Sequence, residues 1–208
     1  MIECMDLLVG NLVSKLEERG LRENTIFVWT TDNGTGSSSN RLNGRVVRGR
    51  KGTTLENGCC EPFIVSCPGA IAEDTVSNAL TDFTDLLLMF AELAGANLPQ
   101  EYTIDGKSFA SVLRGESELG QREWIMAMGG GAGTYDESGR VINSFNYRDR
   151  VIRDRRYKLH VETDRSSAKL VDLEDDPDEL INRVEDPALA DVLTKLEAVE
   201  KSFPAQDG

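Results

Sequence analysis

Glu23-Asn24-Thr25-Ile26-Phe27-Val28-Trp29-Thr30-Thr31-Asp32-Asn33-Gly34 holds the clearest structural signal in this chain. From Thr25 to Thr31 it is short, β-rich and apolar without alternation, which predicts a central strand covered on both faces. The run stops at Asp32-Asn33-Gly34, a cluster of turn formers. Upstream, Ile2, Met5, Val9, Leu12 and Leu16 recur at spacings of three and four. That spacing predicts an amphipathic helix over 2–18, closed by Gly20 in a capping position. Downstream, residues 34–61 are rich in Gly, Ser and Arg and have no apolar period, which predicts a long loop. A loop of that length inside a compact domain is functional or disordered. Phe63 to Cys67 then predicts a second strand, ending at Pro68-Gly69. Residues 81–94 predict a helix with Phe83, Leu86, Leu87, Phe90 and Leu93 inward and Gly95 as its cap. Helix, strand, loop, strand, helix is the rhythm of an α/β layer with parallel strands.

The character changes after about residue 115, which divides the chain into a 1–115 α/β part and a 116–208 subdomain. Ile125 to Met128 predicts a short strand running into Gly129-Gly130-Gly131. Arg150 to Val161 and Lys169 to Leu173 predict further strands joined by turns, and Asp175-Asp176-Pro177 breaks the chain. Residues 187–203 close it with an amphipathic helix carrying Leu189, Val192, Leu193, Leu196 and Val199. Strands adjacent in sequence predict a small antiparallel sheet with one covering helix.

Net charge is −13 with a pI near 4.6, which argues against a nucleic-acid partner, since phosphate backbones are held by clustered cations. It weighs, less heavily, against a large anionic substrate, but a local patch can override the total. Such a patch exists: Arg41, Arg45, Arg48, Arg50 and Lys51 fall within eleven residues. It reads either as a solvated basic loop or, given its glycines, as an anion site. No apolar run approaches the roughly 18–20 residues of a membrane span. Acid stands at Glu3 and Asp6, where a signal peptide carries base, so no address is visible. Cys4, Cys59, Cys60 and Cys67 lack metal or redox spacing, and buried thiols are expected.

Asp32 and Asn33 are placed at the end of the first strand, the edge where open α/β sheets bind ligands. A carboxylate beside an amide carbonyl offers hard oxygen ligands for calcium or magnesium, although an Asp-Asn-Gly turn needs no metal. Further on stands Arg48-Gly49-Arg50-Lys51-Gly52-Thr53-Thr54-Leu55-Glu56-Asn57-Gly58, with Lys51 eighteen residues beyond Asn33. Glycines flanking the cations let backbone approach an anion, and Lys51 offers a compact point charge. The spacing is not that of a phosphate-binding P-loop.

Together these stretches, with Glu61-Pro62-Phe63-Ile64-Val65, Thr84-Asp85-Leu86-Leu87, Ala94-Gly95-Ala96 and Asp105-Gly106-Lys107-Ser108-Phe109, resemble the sulfatase family of the alkaline phosphatase superfamily. Tyr157-Lys158-Leu159 and Lys169-Leu170-Val171-Asp172-Leu173-Glu174-Asp175-Asp176-Pro177 continue the resemblance nearly to the end. It implies the C-terminal part of an alkaline-phosphatase-like sandwich with a small antiparallel subdomain. It implies that Asp32 and Asn33 bind a divalent cation, commonly calcium, and that Lys51 contacts the sulfate group. It also implies a sulfate-ester small molecule or glycan as substrate, and a formylglycine nucleophile expected only in an N-terminal part that this chain lacks.

The departures matter too. Cys60-Glu61-Pro62-Phe63-Ile64 imitates the formylglycine frame but has Ile64 where arginine belongs, so it is expected to stay unmodified. The upstream Asp-Asp ligands and sulfate-side histidines have no counterpart before Asp32. Cys59-Cys60 and Asn57 also depart from the family pattern, and His160 reads as a structural or surface residue. The chain alone is therefore expected to be inactive, with an exposed sheet edge able to drive self-association. Two alternatives stay open: a phosphoryl or phosphonate hydrolase of the same superfamily, which should carry histidine in place of Asn33, and a degenerate binding module.

Overall fold

The computed structural model describes residues 2–36, 39–42, 44–130, 134–142 and 147–207. In chain order its first half holds α1 (Ile2–Glu18), β1 (Phe27–Thr30), β2 (Ser39–Leu42), β3 (Arg45–Arg48), α2 (Glu56–Cys59), β4 (Phe63–Ser66), α3 (Asp85–Ala94) and α4 (Ala110–Leu113). The second half holds β5 (Ile125–Met128), β6 (Thr134–Tyr135), β7 (Val141–Ile142), β8 (Arg150–Arg153), β9 (Tyr157–Val161), β10 (Ser167–Asp172) and α5 (Ala190–Lys201). Two compact units result: Met1–Thr31 with Pro62–Gln121, and Asp32–Glu61 with Arg122–Gly208.

In the first unit β1 pairs with β4, Val28 opposite Val65 and Trp29 opposite Ile64. The pairing is antiparallel, which corrects the expectation of parallel strands. A parallel return needs a crossover, usually a helix, and the only helix described between these strands is the four-residue α2. Arg22 ties the pair to the preceding turn, donating to Ser66 Oγ at 2.6 Å. Met89, Phe109 and Ala110 form a small core against Phe63, Leu86 and Leu93, with the Phe63 and Phe109 rings edge to face at 5.7 Å. The buried carboxylate of Asp85 accepts the amides of Asp82 and Lys107 at 2.9 and 2.7 Å, docking residues 105–109 on the start of α3.

Two helical expectations need correction. α1 forms over the predicted span and ends in the left-handed Gly20, but none of its residues is buried. In α3, Leu86 and Leu93 pack inward as expected, whereas Leu87 and Phe90, and Phe83 just before the helix, stay exposed. The buried stripe runs instead through Asp85 and Met89, because the Asp85 hydrogen bonds set the rotation of the helix. Gly95 caps α3 with φ of 63°, its amide donating to Glu92 O.

The second unit is built on a four-stranded antiparallel sheet, order β10-β9-β8-β5, covered by α5. Ile152, Leu159, Leu170 and Leu196 are fully buried there, each contributing about 1.5–3 kcal/mol of apolar burial. Leu189, Val192, Leu193 and Val199 pack into the same core, as their periodicity predicts. Tyr147 donates its hydroxyl to Glu200 Oε1 at 2.6 Å under the Arg150 guanidinium, itself paired with Asp207 at 2.5 Å. β5 occupies Ile125–Met128 as predicted, while Gly131 lies outside the described residues. Residues 34–61 are not a plain loop: β2 and β3 form a hairpin turning at the left-handed Gly44. Only Cys67 of the four cysteines is buried, contrary to the expectation for the other three, and all four are free.

Candidate metal and sulfate site

Asp32 and Asn33 follow β1 in sequence, separated from its last residue, Thr30, by Thr31. Asp32 is exposed, whereas Asn33 is half-buried and its side-chain oxygen Oδ1 is buried with no hydrogen-bond partner among the described residues. An unmet amide oxygen costs about 1–3 kcal/mol. It also fits a cation ligand: the donor set is two hard oxygens, of the kind that calcium and magnesium take. Among the described residues no group of three or more His, Cys, Asp or Glu could complete a metal site.

Lys51 is joined to this segment through backbone. Its amide donates to Thr35 O at 2.9 Å, and the Gly34 amide donates to Gly58 O at 3.1 Å. Glycine makes this approach possible: a Cβ on Gly34 would stand 2.0 Å from Asn57 O, and one on Gly49 2.1 Å from Gly36 O. Gly58 is equally confined: a Cβ there would stand 2.5 Å from both Arg50 O and Thr53 O. Thr53 Oγ1 donates to Arg50 O at 2.8 Å, bracing the turn that carries Lys51. The Lys51 side chain itself is exposed. Asp32, Asn33 and Lys51 are therefore brought onto one pair of apposed loop segments.

A second cluster gave no functional signal in the sequence. Lys158, wholly buried in β9, places Nζ 3.0 Å from Glu56 Oε1 and 3.2 Å from Glu179 Oε1. Arg153 Nε lies 3.2 Å from Glu56 Oε1. Glu179 also accepts the Glu56 amide at 2.6 Å, meets His160 Nε2 at 3.0 Å through its other oxygen, and accepts Lys169 Nζ at its carbonyl. The Asp176-to-Glu179 loop thus clamps the first turn of α2, just beyond Lys51. The one available signal was a lysine inside the apolar strand Tyr157-Lys158-Leu159-His160-Val161, since a buried charge demands partners. His160, read as structural or surface, is half-buried in β9 and engaged by Glu179.

Burial pushes the Glu179 carboxyl up, but His160, the Glu56 amide and Lys158 more than offset it and hold it at about 2, against an ordinary 4.5. The stability this group contributes is thus complete above about pH 4.5 and lost as pH falls toward 2. Unfolding curves across that window should show wild type losing stability with acid and Glu179→Gln showing a flatter dependence. Equal slopes would disprove the assignment. Cys59 keeps part of its surface exposed, but its Sγ lies against the carbonyls of Thr54 and Leu55, and desolvation of the sulfur by the packing around it drives the thiol up to about 11. Cys60 is raised for the same reason. Neither supplies a thiolate nucleophile near neutral pH.

Among the described residues no helix is long and apolar enough to cross a membrane. The family model for the C-terminal region of N-sulphoglucosamine sulphohydrolase matches residues 50–203, and a sulfatase model matches residues 1–96. Steryl-sulfatase of Mus musculus is 33% identical over 131 residues, 60% of this chain and 21% of that protein. A crystal structure of a putative sulfatase from Bacteroides thetaiotaomicron superposes with a TM-score of 0.70 at 25% identity, over 94% of this chain and 39% of that one. A protein solved in complex with its substrate D-glucosamine-2-N,6-O-disulfate shares the fold at a TM-score of 0.72 and 23% identity, over 96% and 38% of the two chains. This chain thus spans about a fifth of the curated relative and two fifths of the solved structures. Its fold is that of the alkaline-phosphatase-like sulfatases, and the chain belongs to the sulfatase family.

Proposed function

We propose that this chain carries the cation-binding and sulfate-contacting loops of a sulfuric ester hydrolase, with Asp32 and Asn33 as ligands to calcium and Lys51 on the sulfate group. The observation that carries the reading is the buried, unpartnered Asn33 Oδ1 beside Asp32, on the segment hydrogen-bonded to Lys51. A bound divalent cation would supply positive charge for the sulfuryl oxygens. Lys51 adds a second, fixed positive charge without needing to lose a proton, and its braced turn holds that charge in place before reaction. On this reading residues 1–115 belong to the catalytic α/β domain and 116–208 to a smaller subdomain. The phosphoryl-transfer alternative calls for histidine in place of Asn33, and the single histidine, His160, is engaged by Glu179.

Two ligands make a weak site, so calcium should bind this chain in the range of about 10⁻⁴–10⁻³ M or weaker. Titration calorimetry on wild type, Asp32→Ala and Asn33→Leu tests it. Loss of the calcium heat in both variants is expected, and a signal unchanged in both rules the ligands out.

A further inference from the structure

Asp32–Glu61, which carries Asp32, Asn33 and Lys51, packs as one compact unit with Arg122–Gly208. Ties between the two stretches converge on Glu56, the first residue of α2. Its carboxylate meets Lys158 Nζ at 3.0 Å and Arg153 Nε at 3.2 Å, both from the four-stranded sheet. Its amide donates to Glu179 Oε1 at 2.6 Å. Arg45 adds a pair with Asp178, 3.7 Å long and nearly half exposed, which contributes little. Leu55, at the cap position of α2, makes no side-chain bond to the helix start. A first-turn amide without a local acceptor has to find one elsewhere, and here the acceptor lies 123 positions along the chain.

Glu179 makes that contact at a backbone cost. It sits at φ 55°, a left-handed conformation that a residue with a side chain rarely adopts. It is buried all the same, and its polar groups are engaged. The amide donates to Asp176 O at 3.0 Å, the carbonyl accepts Lys169 Nζ, and Oε2 meets His160 Nε2. Strain held in place by so many bonds points to a residue whose aim matters.

In turn, α2 joins the two halves of the candidate site. Gly58, its third residue, accepts the Gly34 amide at its carbonyl, one residue beyond Asn33. The Gly58 backbone also lies against Arg50 O and Thr53 O, which flank Lys51, too closely for any Cβ. A shift of α2 therefore moves the Asn33 segment and the Lys51 turn relative to each other.

We propose that Glu179 is a positioning residue for the candidate site: by capping α2, it sets the spacing between Asn33 and Lys51. The proposal rests on the reading of Asp32 and Asn33 as cation ligands and of Lys51 as the sulfate contact. Lys158 and Arg153 already hold Glu56 by its side chain, so position 179 needs reach and an acceptor oxygen more than charge.

The test is hydrogen exchange of the full chain, followed at single amides by NMR, together with calcium titration. It compares wild type with Glu179→Ala, Glu179→Gln and Glu179→Asp. Glutamine keeps the reach and the acceptor but removes the charge, whereas aspartate keeps the charge and is one methylene too short. In the alanine and aspartate variants the Gly34 and Lys51 amides should exchange about 10-fold or more faster. The amides of Ile152 and Leu159, in the middle strands of the sheet, should stay within about 2-fold of wild type. Glu179→Gln should keep all four amides within about 2-fold. Calcium affinity should follow the same order, falling about 10-fold in the alanine and aspartate variants. Unchanged exchange at Gly34 and Lys51 in Glu179→Ala overturns the proposal. So does a rise shared by Ile152 and Leu159, which makes Glu179 a general support of the fold. A reversed ranking, with aspartate protective and glutamine not, also overturns it, since Glu179 then serves only as counter-charge to Lys158. The ligand reading fails separately: calcium binding that Asp32→Ala leaves unchanged sinks that assignment, while the exchange rates still decide whether Glu179 sets the spacing.

Discussion

Lys51→Ala should lower aryl-sulfate hydrolysis by about 10²-fold or more in a protein carrying the complete sulfatase site. On the proposed assignment the size follows from a positive charge placed where negative charge accumulates on the sulfuryl oxygens. Its backbone is anchored at Thr35, and Thr53 braces the turn from the other side. Loss of the side chain leaves that frame intact, so the defect should fall on kcat and kcat/KM without a fall in stability. Lys51→Arg should recover only part of the rate, because a planar fork does not reproduce a compact ammonium. Steady-state kinetics on a chromogenic aryl sulfate checks this, and unchanged activity in Lys51→Ala would sink the assigned role.

Lys158→Met should destabilise the second unit by about 3–5 kcal/mol. Lys158 is wholly buried between Glu56 and Glu179. Its removal leaves Arg153 as the cation on Glu56 and strips the buried Glu179 carboxylate of the ammonium 3.2 Å away. Methionine keeps most of the volume, so the loss reports charge rather than a cavity. Pairing Lys158→Met with Glu179→Gln should restore part of the stability, since the amide removes the uncompensated charge and still accepts the Glu56 amide. Urea unfolding measures both, and a cost below about 1 kcal/mol for the single variant would show that the lysine does not hold the cluster. Because Glu56 opens α2 directly after the Lys51 turn, this cluster also anchors the candidate site.

Much of the architecture was legible because it is local. The spacing in 2–18 and in 187–203 specifies helices, and Gly20 and Gly95 adopt the left-handed caps that their positions imply. Ile125–Met128 forms its strand at the predicted residues. The direction of β4 was not legible, since strand sense depends on how the intervening chain travels, and no periodicity in Thr25–Thr31 or Phe63–Cys67 records it. The exposure of Phe83, Leu87 and Phe90 likewise depends on the rotation of α3, which the Asp85 hydrogen bonds to Asp82 and Lys107 set.

The candidate site divides in the same way. Asp32, Asn33 and Lys51 stood out because residue type and glycine context carry their chemistry within a few positions. By itself the sequence determined the helices and their caps, the hard oxygen pair at Asp32 and Asn33, and the cationic run from Arg41 to Lys51. Only the tertiary structure decided that Lys51 is bonded to Thr35, that Asn33 Oδ1 is buried and unmet, and that Glu56, Lys158 and Glu179 meet. Glu56 and Lys158 lie 102 residues apart, and a buried charge finds its partner through chain topology, which local pattern does not encode.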